Sequence, residues 1–323
     1  MTMIRFLALA ALLVGVPYGS AAAQEYPGSK AVKFIVPFPP GGGTDVLSRV
    51  IGQKMQEAGY TVVIDNKPGA GGNIGADAAA KSPADGYTLV MGQTSNLSIN
   101  PGLYAKMPFD PLKDFAPIVL VAQIPSALVV KADSPHRTLA DLVKADKAKP
   151  ETITMASAGN GTVGHLSGEL FKQAASARFV HVPYKGAGQA MTDLLGGSVD
   201  FSLASIPIAT AQIKGGKIRA LGVTSAERVK SLPEIPAIAE QGYPGFNALS
   251  WYGILAPAGT PKAIVDKLNG DLNRILTSPE VIEKIEAEGG IVMGGTAQAF
   301  ADLMRTDTAR WGKIIKDSGA KLD

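Results

Sequence analysis

The sequence contains no cysteine, and this absence excludes several kinds of chemistry at once. A chain without thiols has no thiolate nucleophile, no disulfide and no cysteine metal site. Histidine is almost as scarce, with only His136, His165 and His181, and no two of them have the i, i+4 spacing of a helical zinc site. We therefore expect neither a metal site nor a bound cofactor.

Long apolar runs are also missing after residue 23, where no segment approaches 18 continuous apolar residues. The first 23 residues are different, because Arg5 precedes an apolar run at residues 6–16 and Ala21-Ala22-Ala23 resembles a signal peptidase site. The run is too short to span a bilayer of about 30 Å. We predict that residues 1–23 are a cleaved signal peptide, which implies a soluble periplasmic protein. The alternative is a buried N-terminal helix, but the sequence of this segment shows no amphipathic period.

The chain has no strong excess of one charge. Its 31 basic and 28 acidic residues give a formal net charge of +3, which falls to +2 when Arg5 is removed. No basic stripe accompanies this small charge, so we do not expect a protein that binds nucleic acid. Carboxylate ligands remain free to approach.

Short apolar runs alternate with amphipathic helical segments, which is typical of an α/β fold. "VKFIVPF", "TVVID" and "YTLVMG" predict three strands, separated by a helix around residues 46–55 and an alanine-rich helix. Between the last two strands, residues 69–75 are rich in glycine. We interpret them as a tight turn with Asn73 as the helix N-cap, with a ligand loop as the alternative.

A second series of strands and helices follows two apolar runs split by Ile124-Pro125. Thr138 and Asp141 have the spacing of a capping box, which predicts a helix ending near Lys147. "TITMAS", "RFVHV", "VDFSLA" and "IRALGVTS" predict strands, with helices at 163–173 and 190–195 between the first three. The tail adds the strand "YGILAP" and long helices, the last opening near Thr296. Two similar units indicate a compact protein with two lobes.

The glycine-rich loop "VPFPPGGGTDV" at residues 36–46 joins a predicted strand to a predicted helix. Glycines allow close backbone approach, and the unpaired first-turn amides of a helix carry partial positive charge, so this loop suits an anion. It is not a P-loop, because no lysine follows Gly43, and Val46 breaks the dinucleotide fingerprint. The alternative is a structural turn with Thr44 or Asp45 as a plain N-cap.

The second unit carries a counterpart, "SAGNGTVGH" at residues 157–165, again between a strand and a helix. Two such loops, one on each lobe, predict a cleft in which a carboxylate contacts both lobes only when they approach. His165 is either a ligand contact or an ordinary, partly buried helix residue.

A catalytic set is harder to find. The serine-hydrolase elbow G-x-S-x-G fails at Ser157, because Met155 stands at the position of the first glycine. Most acidic residues fall on helix faces predicted to be exposed, which disfavours paired carboxylates for acid–base work. We therefore expect a binding protein, with an exported hydrolase as the less favoured alternative.

Several segments together resemble the periplasmic solute-binding proteins of the tripartite tricarboxylate transporter family, also called Bug proteins. These segments are "VPFPPGGGTDVLSRVIGQKM", "DNKPGAGGNIGADAAAKSPADGYTLVMG", "MASAGNGTVGHLSGELFK", "VPYKGAGQAMTDLLGGSVDF" and "WYGILAPAGTP". The resemblance implies a two-lobed type II periplasmic-binding-protein fold with the ligand in the interlobe cleft. It also implies a monomer that passes a small carboxylate to integral membrane permease subunits, with a ligand-presenting sensor as the alternative.

From the loop positions and this resemblance we expect lobe 1 to comprise residues 24–125 and 226–323, and lobe 2 residues 126–225. The expected ligand-binding residues are Phe38, Pro40, Gly41, Gly42, Gly43, Thr44, Asp45, Thr94, Ser95, Ser157, Ala158, Gly159, Asn160, Gly161, Thr162, His165, Tyr184, Ala204 and Ser205. We expect Trp251-Tyr252 to pack at the hinge rather than line the cleft.

One position departs from the family pattern. Many relatives have Asp-Asn where this chain has Ala204-Ser205, so an acid and an amide are missing. An acid there would suit a ligand with an amino group and repel a second carboxylate. The hypothesis is a ligand without an ammonium group, such as a dicarboxylate or an aromatic acid. The alternative is that Ala204 only packs in the wall of the cleft.

Overall fold

The computed structural model describes residues 26–322, so the predicted signal peptide lies outside the described residues. The first part of the chain forms the expected alternation of strands and helices. Its elements are β1 (Val32–Val36), α1 (Gly43–Glu57), β2 (Val62–Asn66), α2 (Asn73–Ala80), β3 (Thr88–Gln93), a π-helical turn (Ser95–Ile99) and α3 (Asn100–Leu103). A long strand, β4 (Phe115–Lys131), follows.

The second series is α4 (Leu139–Ala148), β5 (Thr154–Ser157), α5 (Val163–Ala175), β6 (Val180–Pro183), α6 (Ala187–Gly196), β7 (Phe201–Ser205), α7 (Ile206–Lys214) and β8 (Ile218–Val223). The last elements are β9 (Leu249–Pro257), α8 (Lys262–Leu276), α9 (Pro279–Ala287), β10 (Ile291–Val292) and α10 (Ala297–Ser318). The capping box predicted at Thr138 is confirmed, since Thr138 accepts a hydrogen bond from the Asp141 amide and Asp141 accepts one from the Thr138 amide.

The strands form two sheet regions joined by β4. In the first, β2 and β3 lie parallel on either side of β1, while β9 runs antiparallel between β3 and β4 and β10 pairs with β4. In the second, β6, β5 and β7 are parallel neighbours, and β7 and β8 pair antiparallel with β4. We call the parts of the molecule built on these regions the first lobe and the second lobe.

The central parallel strands are apolar because both of their faces are covered. In β1, Phe34 packs in the cluster that contains α1 and α8, and its neighbour Ile35 packs on the opposite face with Trp251 and Phe300. This alternation follows from the two-residue period of a strand.

The strand β4 changes partner where the sequence analysis separates the lobes. Pro125 pairs with Leu249 of β9, and the next residue, Ser126, pairs with Ser205 of β7. After β8, however, residues of the segment 226–248 pack in the apolar cluster of the second lobe, as Val229 and Leu232 do. We propose that the second lobe comprises residues 126–248, so that the return to the first lobe lies at the start of β9 and not at residue 225.

Three local expectations differ from the structure. The apolar runs around Pro125 form one strand and not two, because Pro125 lies where the sheet partner changes. The helix α7 was not expected, although Ser205-Ile206-Pro207 has proline in the first turn, which favours a helix start. The N-cap of α2 is Gly72 and not Asn73, whose side chain instead accepts a hydrogen bond from Asn100 at 2.8 Å. None of the helices within residues 26–322 is both long enough and apolar enough to span a membrane.

Candidate functional site

The topology of the second lobe brings three helix N-termini to one place. The strands β5, β6 and β7 are parallel, so their carboxyl ends lie at the same edge of the sheet. Each strand is followed directly by a helix, namely α5, α6 and α7. The N-terminal residues of these three helices therefore gather at that edge.

A pocket of about 180 Å³ lies at this edge. Four of the predicted site residues line it: Ala158, Thr162, Ala204 and Ser205. Its other lining residues were not predicted from the sequence; they are Ser126, Val163, Gly164, Ala187, Ala190, Met191, Ser202, Leu203, Ile208 and Ser250. The helix start at Ser205-Ile206-Pro207 was a signal for Ile208; residues such as Ser126 and Ser250 carry no local signal and come from strands that only the fold places there.

The lining of this pocket has no charged side chain. Its polarity comes from hydroxyls and from helix starts at Thr162, Ala187 and Ser205, which are the N-cap or first residue of α5, α6 and α7. First-turn amides have no carbonyl partner within their own helix, and each N-terminus carries about half a positive charge. The pocket is therefore electropositive without a formal charge and suits an anion.

The glycine loop before α1 is held by Asp45. This carboxylate is buried, and its oxygens accept hydrogen bonds from the Gly41 amide at 2.9 Å, from Asn66 at 2.9 Å and from Arg49 at 2.8 Å. Burial raises the pKa of Asp45, but the bonds from Arg49, Gly41 and Asn66 outweigh it and lower the pKa to about 2. The N-cap of α1 is Gly42 and no side chain caps this helix, so the plain N-cap alternative for Thr44 or Asp45 is wrong.

The start of α1 also faces β9 and the end of α9. Burial, followed by the charge of Glu288, raises the pKa of Tyr252 to about 12, and the neighbouring Thr44 side chain opposes this shift. A Cβ atom added to Gly43 would lie 3.3 Å from Glu288 Oε2 and 3.9 Å from the Tyr252 hydroxyl. The first-lobe loop therefore has two carboxylates beside it, those of Asp45 and Glu288.

Two histidines contact the second glycine loop, residues 157–165. The rings of His165 and His181 stack with centroids 3.8 Å apart. His165 Nδ1 accepts a hydrogen bond from the Gly161 amide at 3.1 Å, and His181 Nε2 lies 2.6 Å from Ser157 Oγ. Burial, then the charges of His181 and Lys172, lowers the pKa of His165 to about 3, while burial and Lys172 lower that of His181 to about 4. Both rings are therefore neutral at pH 7.

Other predicted residues lie in the framework around the cleft. Thr94 is fully buried and its hydroxyl accepts a hydrogen bond from the Trp251 amide at 2.7 Å. The Tyr184 hydroxyl donates to Asp193 at 2.8 Å. Trp251 is buried in the first-lobe core. Of the rest, Phe38, Gly43, Ser95, Gly159 and Asn160 are half-buried, Gly161 and Ser157 are buried, and Pro40, Gly41 and Gly42 are exposed.

A larger cavity, of about 610 Å³, lies between the lobes but contains none of the predicted site residues. Its lining includes Arg228 and Lys230 from the second lobe and Glu286 from α9, and Lys230 and Glu286 form an ion pair at 2.9 Å. The helix α9 ends beside this cavity, and a helix C-terminus carries negative partial charge, so the cavity suits an anion less well than the smaller pocket does. Within residues 26–322, no group of three or more potential metal-ligating side chains was found.

Comparison with known proteins assigns the chain to a family. The model of the tripartite tricarboxylate transporter family receptor matches residues 47–320. The chain is 37% identical to Protein BugT of Bordetella pertussis over 327 residues, which cover 100% of both proteins.

Two solved structures with bound carboxylates are similar. The structure of R. palustris Rpa4515 with adipate is 36% identical and matches with a TM-score of 0.79, covering 92% of this chain and 100% of that one. MatC from Rhodopseudomonas palustris with bound malate is 30% identical and matches with a TM-score of 0.73, covering 88% and 98% respectively.

These similarities confirm the two-lobed periplasmic-binding-protein fold that the sequence resemblance implied. Such proteins bind solutes and are not enzymes. The chain belongs to the tripartite tricarboxylate transporter receptor family of solute-binding proteins, together with the Bug-type proteins.

Proposed function

We propose that this protein captures a small carboxylate outside the cytoplasm and delivers it to integral membrane permease subunits. The observation that carries the proposal is the meeting of three helix N-termini at one pocket without a charged side chain. Amide groups fixed by helices are arranged before the ligand arrives, so binding an anion there requires little reorganisation. The carboxylates bound to the two similar structures, adipate and malate, support this chemistry.

The predicted site residues take two roles in this proposal. Thr162, Ala158, Ala204 and Ser205 line the pocket and contact the ligand. A second set supports the site: Asp45, Ser157 and His165 form hydrogen bonds within the two loops, and Thr94 and Tyr184 bond to the neighbouring elements β9 and α6. Residues 38–44 and Ser95 belong to the first-lobe side of the cleft, which the ligand reaches as the lobes approach.

The contact between Ser157 and His181 is the one observation that favours a hydrolase. A serine 2.6 Å from an imidazole resembles a nucleophile with its base. Ser157 is only 1% exposed, however, and its hydroxyl also donates to the carbonyl of Gly159 at 3.1 Å. A hydroxyl buried beneath the loop is not accessible to an acyl carbon, and we therefore propose that the protein has no catalytic activity.

Location and assembly follow from the same proposal. The predicted signal peptide and the periplasmic family together favour export to the periplasm. We further propose that the protein acts as a monomer, since the ligand site is formed within one chain.

A thermal-shift screen against mono-, di- and tricarboxylates and aromatic acids tests the function. A ligand that binds only the folded state raises the melting temperature, and the rise grows as the ligand concentration exceeds its Kd, so we expect a selective rise with one class of acid. No rise with any acid at millimolar concentration would overturn the proposal. Turnover of ester or amide substrates by the wild type, abolished in S157A, would favour the hydrolase instead.

Variants at Ala204 test whether the pocket holds the carboxylate. Ala204→Asp places a negative charge in the pocket wall, and Ala204→Asn has nearly the same shape without the charge. We expect the aspartate variant to bind the acid at least about tenfold more weakly than the asparagine variant, because the carboxylate at position 204 repels the ligand carboxylate at short range. Equal affinities of the two variants would place the carboxylate elsewhere.

A further inference from the structure

The turn that follows α9 lies between the two halves of the cleft. Glu288 is the C-cap residue of α9, and its carboxylate oxygen lies 3.3 Å from the position of a Cβ atom on Gly43, at the start of α1. The next residue, Gly289, packs so closely on the second lobe that an added Cβ atom would be 2.3 Å from Ile206 Cβ. Ile206 directly follows Ser205, which lines the pocket. The turn thus touches both sides of the cleft.

Among the described residues, the carboxylate of Glu288 has no bonded partner of its own. Within residues 26–322 no side chain or backbone group forms a hydrogen bond or ion pair with it, although its charge acts on Tyr252. It is half-buried and lies beside the N-terminus of α1, where partial positive charge favours it. An unpaired carboxylate in this position can accept a hydrogen bond from a ligand.

The two ends of the cleft therefore differ in charge. The second-lobe pocket is electropositive and has no charged side chain. On the first-lobe side, the charge of Asp45 is paired with Arg49, whereas Glu288 lies beside Gly43 without a paired cation in the described part of the chain, so one unpaired negative charge lies beside the helix end. A second carboxylate of a ligand would be repelled there, whereas a donor group would be attracted.

We propose that Glu288 is a specificity-determining residue that selects monocarboxylic acids with a hydrogen-bond donor at the far end, either a hydroxyl or an ammonium group. This inference rests on the proposed function, because it assumes that the ligand carboxylate binds in the second-lobe pocket. It differs from the hypothesis drawn from Ala204, in which the missing acid favours a ligand without an ammonium group, because here Glu288 supplies a carboxylate at the other end of the cleft.

Two matched series of acids test the selection, with the same carbon number and a different far end. They are adipate, hexanoate, 6-hydroxyhexanoate and 6-aminohexanoate, and succinate, butyrate, 4-hydroxybutyrate and 4-aminobutyrate. For the wild type we expect the hydroxy or amino acid of a series to bind at least about tenfold more tightly than its dicarboxylate, measured by calorimetry. Glu288→Gln keeps the size and removes the charge, so it should lower this ratio at least about fivefold, chiefly by improving dicarboxylate binding.

Glu283→Gln is the matched control, because Glu283 is an exposed residue of the same helix. It should keep the wild-type ratio. If the acids bind but the affinity ratio between the hydroxy or amino acid and the dicarboxylate is equal in wild type and Glu288→Gln, the role of Glu288 is overturned. The proposed capture of a carboxylate is then unaffected. If the folded wild-type protein binds none of the eight acids and no acid in the thermal-shift screen, both the proposed function and this inference are overturned.

Discussion

At the scale of single residues, a charged side chain beside the cleft can hold the backbone in place. Asp45 is the clearest case, because both of its carboxylate oxygens are used within the first lobe. A ligand carboxylate would find no donor on this side chain, which has none when ionised. The value of Asp45 therefore lies in fixing the Gly41 amide and the direction of the loop.

Asp45→Asn should lower the free energy of unfolding at pH 7 by between about 1 and 2 kcal/mol. The pKa of Asp45 is lowered from 3.8 to about 2, and each unit corresponds to about 1.4 kcal/mol, reduced here because Arg49 is half-exposed. Since the folded-state pKa is the lower one, this stabilisation is present above about pH 4 and is lost as the pH falls toward 2. Urea unfolding at pH 7 and at pH 2.5 measures the difference.

The exposed Asp133, which pairs with Lys131, provides the control for this experiment. Asp133→Asn should change stability by less than about 0.5 kcal/mol at either pH, because surface substitutions outside a buried network have small effects. An equal loss in the two variants would mean that the bonds of Asp45 do not stabilise the loop.

His165 makes the second lobe sensitive to acid. Its pKa is lowered from 6.5 to about 3, so between these values the unfolded chain binds a proton that the folded protein does not. The contribution of His165 to stability is then highest above pH 6.5 and falls by up to about 1.4 kcal/mol per pH unit as the pH drops, and His181 adds a similar fall. His165→Gln should be less stable at pH 7 and should show a shallower fall between pH 6.5 and 4.5 in urea unfolding.

Leu170→Ala is the comparison, because it shortens a partly buried side chain of the same helix without removing a titrating group. It should lose stability and keep the wild-type dependence on pH. A dependence in His165→Gln as steep as that of the wild type would show that the imidazole is not held neutral by the fold.

At the scale of elements, two helices with threonine N-caps allow the effect of a cap on stability to be separated from its effect on ligand affinity. Thr162 caps α5 by accepting from the His165 amide at 3.3 Å, and Thr138 caps α4 by accepting from the Asp141 amide at 3.1 Å. Either threonine changed to alanine should cost about 1 kcal/mol of stability, since one amide at the helix end loses its partner. Only Thr162 lines the pocket, so only T162A should also weaken ligand binding, by at least about fivefold in calorimetry.

Thr162→Ser separates the two effects of this change. It keeps the capping oxygen and should recover most of the stability and most of the affinity. Loss of affinity in T138A as large as in T162A would indicate that affinity follows the stability of the second lobe and not the local geometry of α5.

The elements themselves were largely predictable from the sequence. Alternation of apolar runs with helical periods indicated the α/β class, and the capping box at Thr138 and the helix opening at Thr296 have local signals that the structure reproduces. That β4 is a single strand was not predictable, because a proline normally marks the end of a strand. Pro125 is tolerated here because it lies where the sheet partner changes from β9 to β7.

The site was predictable only where a single loop carries the signal. The loop at residues 157–165 is such a case, since its glycines and Thr162 occur together. The part played by α6 and α7 depends on the parallel order of β5, β6 and β7, which periodicity does not specify. Glu288 has no local signal at all, because its proximity to Gly43 arises from the packing of α9 on α1.

At the scale of the whole molecule, several elements join the lobes. The strand β4 belongs to both sheet regions, and α10 packs Phe300 and Met304 in the first lobe and Trp311 and Ile314 in the cluster that contains second-lobe residues. Asp307, between these pairs, accepts hydrogen bonds from the indoles of Trp251 and Trp311 at 2.8 and 3.0 Å. Relative motion of the lobes must therefore bend β4 and be accommodated around α10.

Gly289 limits how closely the lobes approach, and Gly289→Ala should hinder closure. Its φ is +70° and a Cβ atom would lie 2.3 Å from Ile206 Cβ, so alanine must push the turn away from the second lobe. We expect the variant to bind every acid more weakly by the same factor, at least about tenfold. X-ray scattering should show a smaller decrease in the radius of gyration on ligand binding than in the wild type. Gly242→Ala carries a comparable backbone penalty at φ +95° with nothing within 4 Å, and should bind as the wild type does. Unchanged affinity in Gly289→Ala would show that closure does not depend on this contact, and a loss confined to one acid would assign Gly289 to selectivity instead.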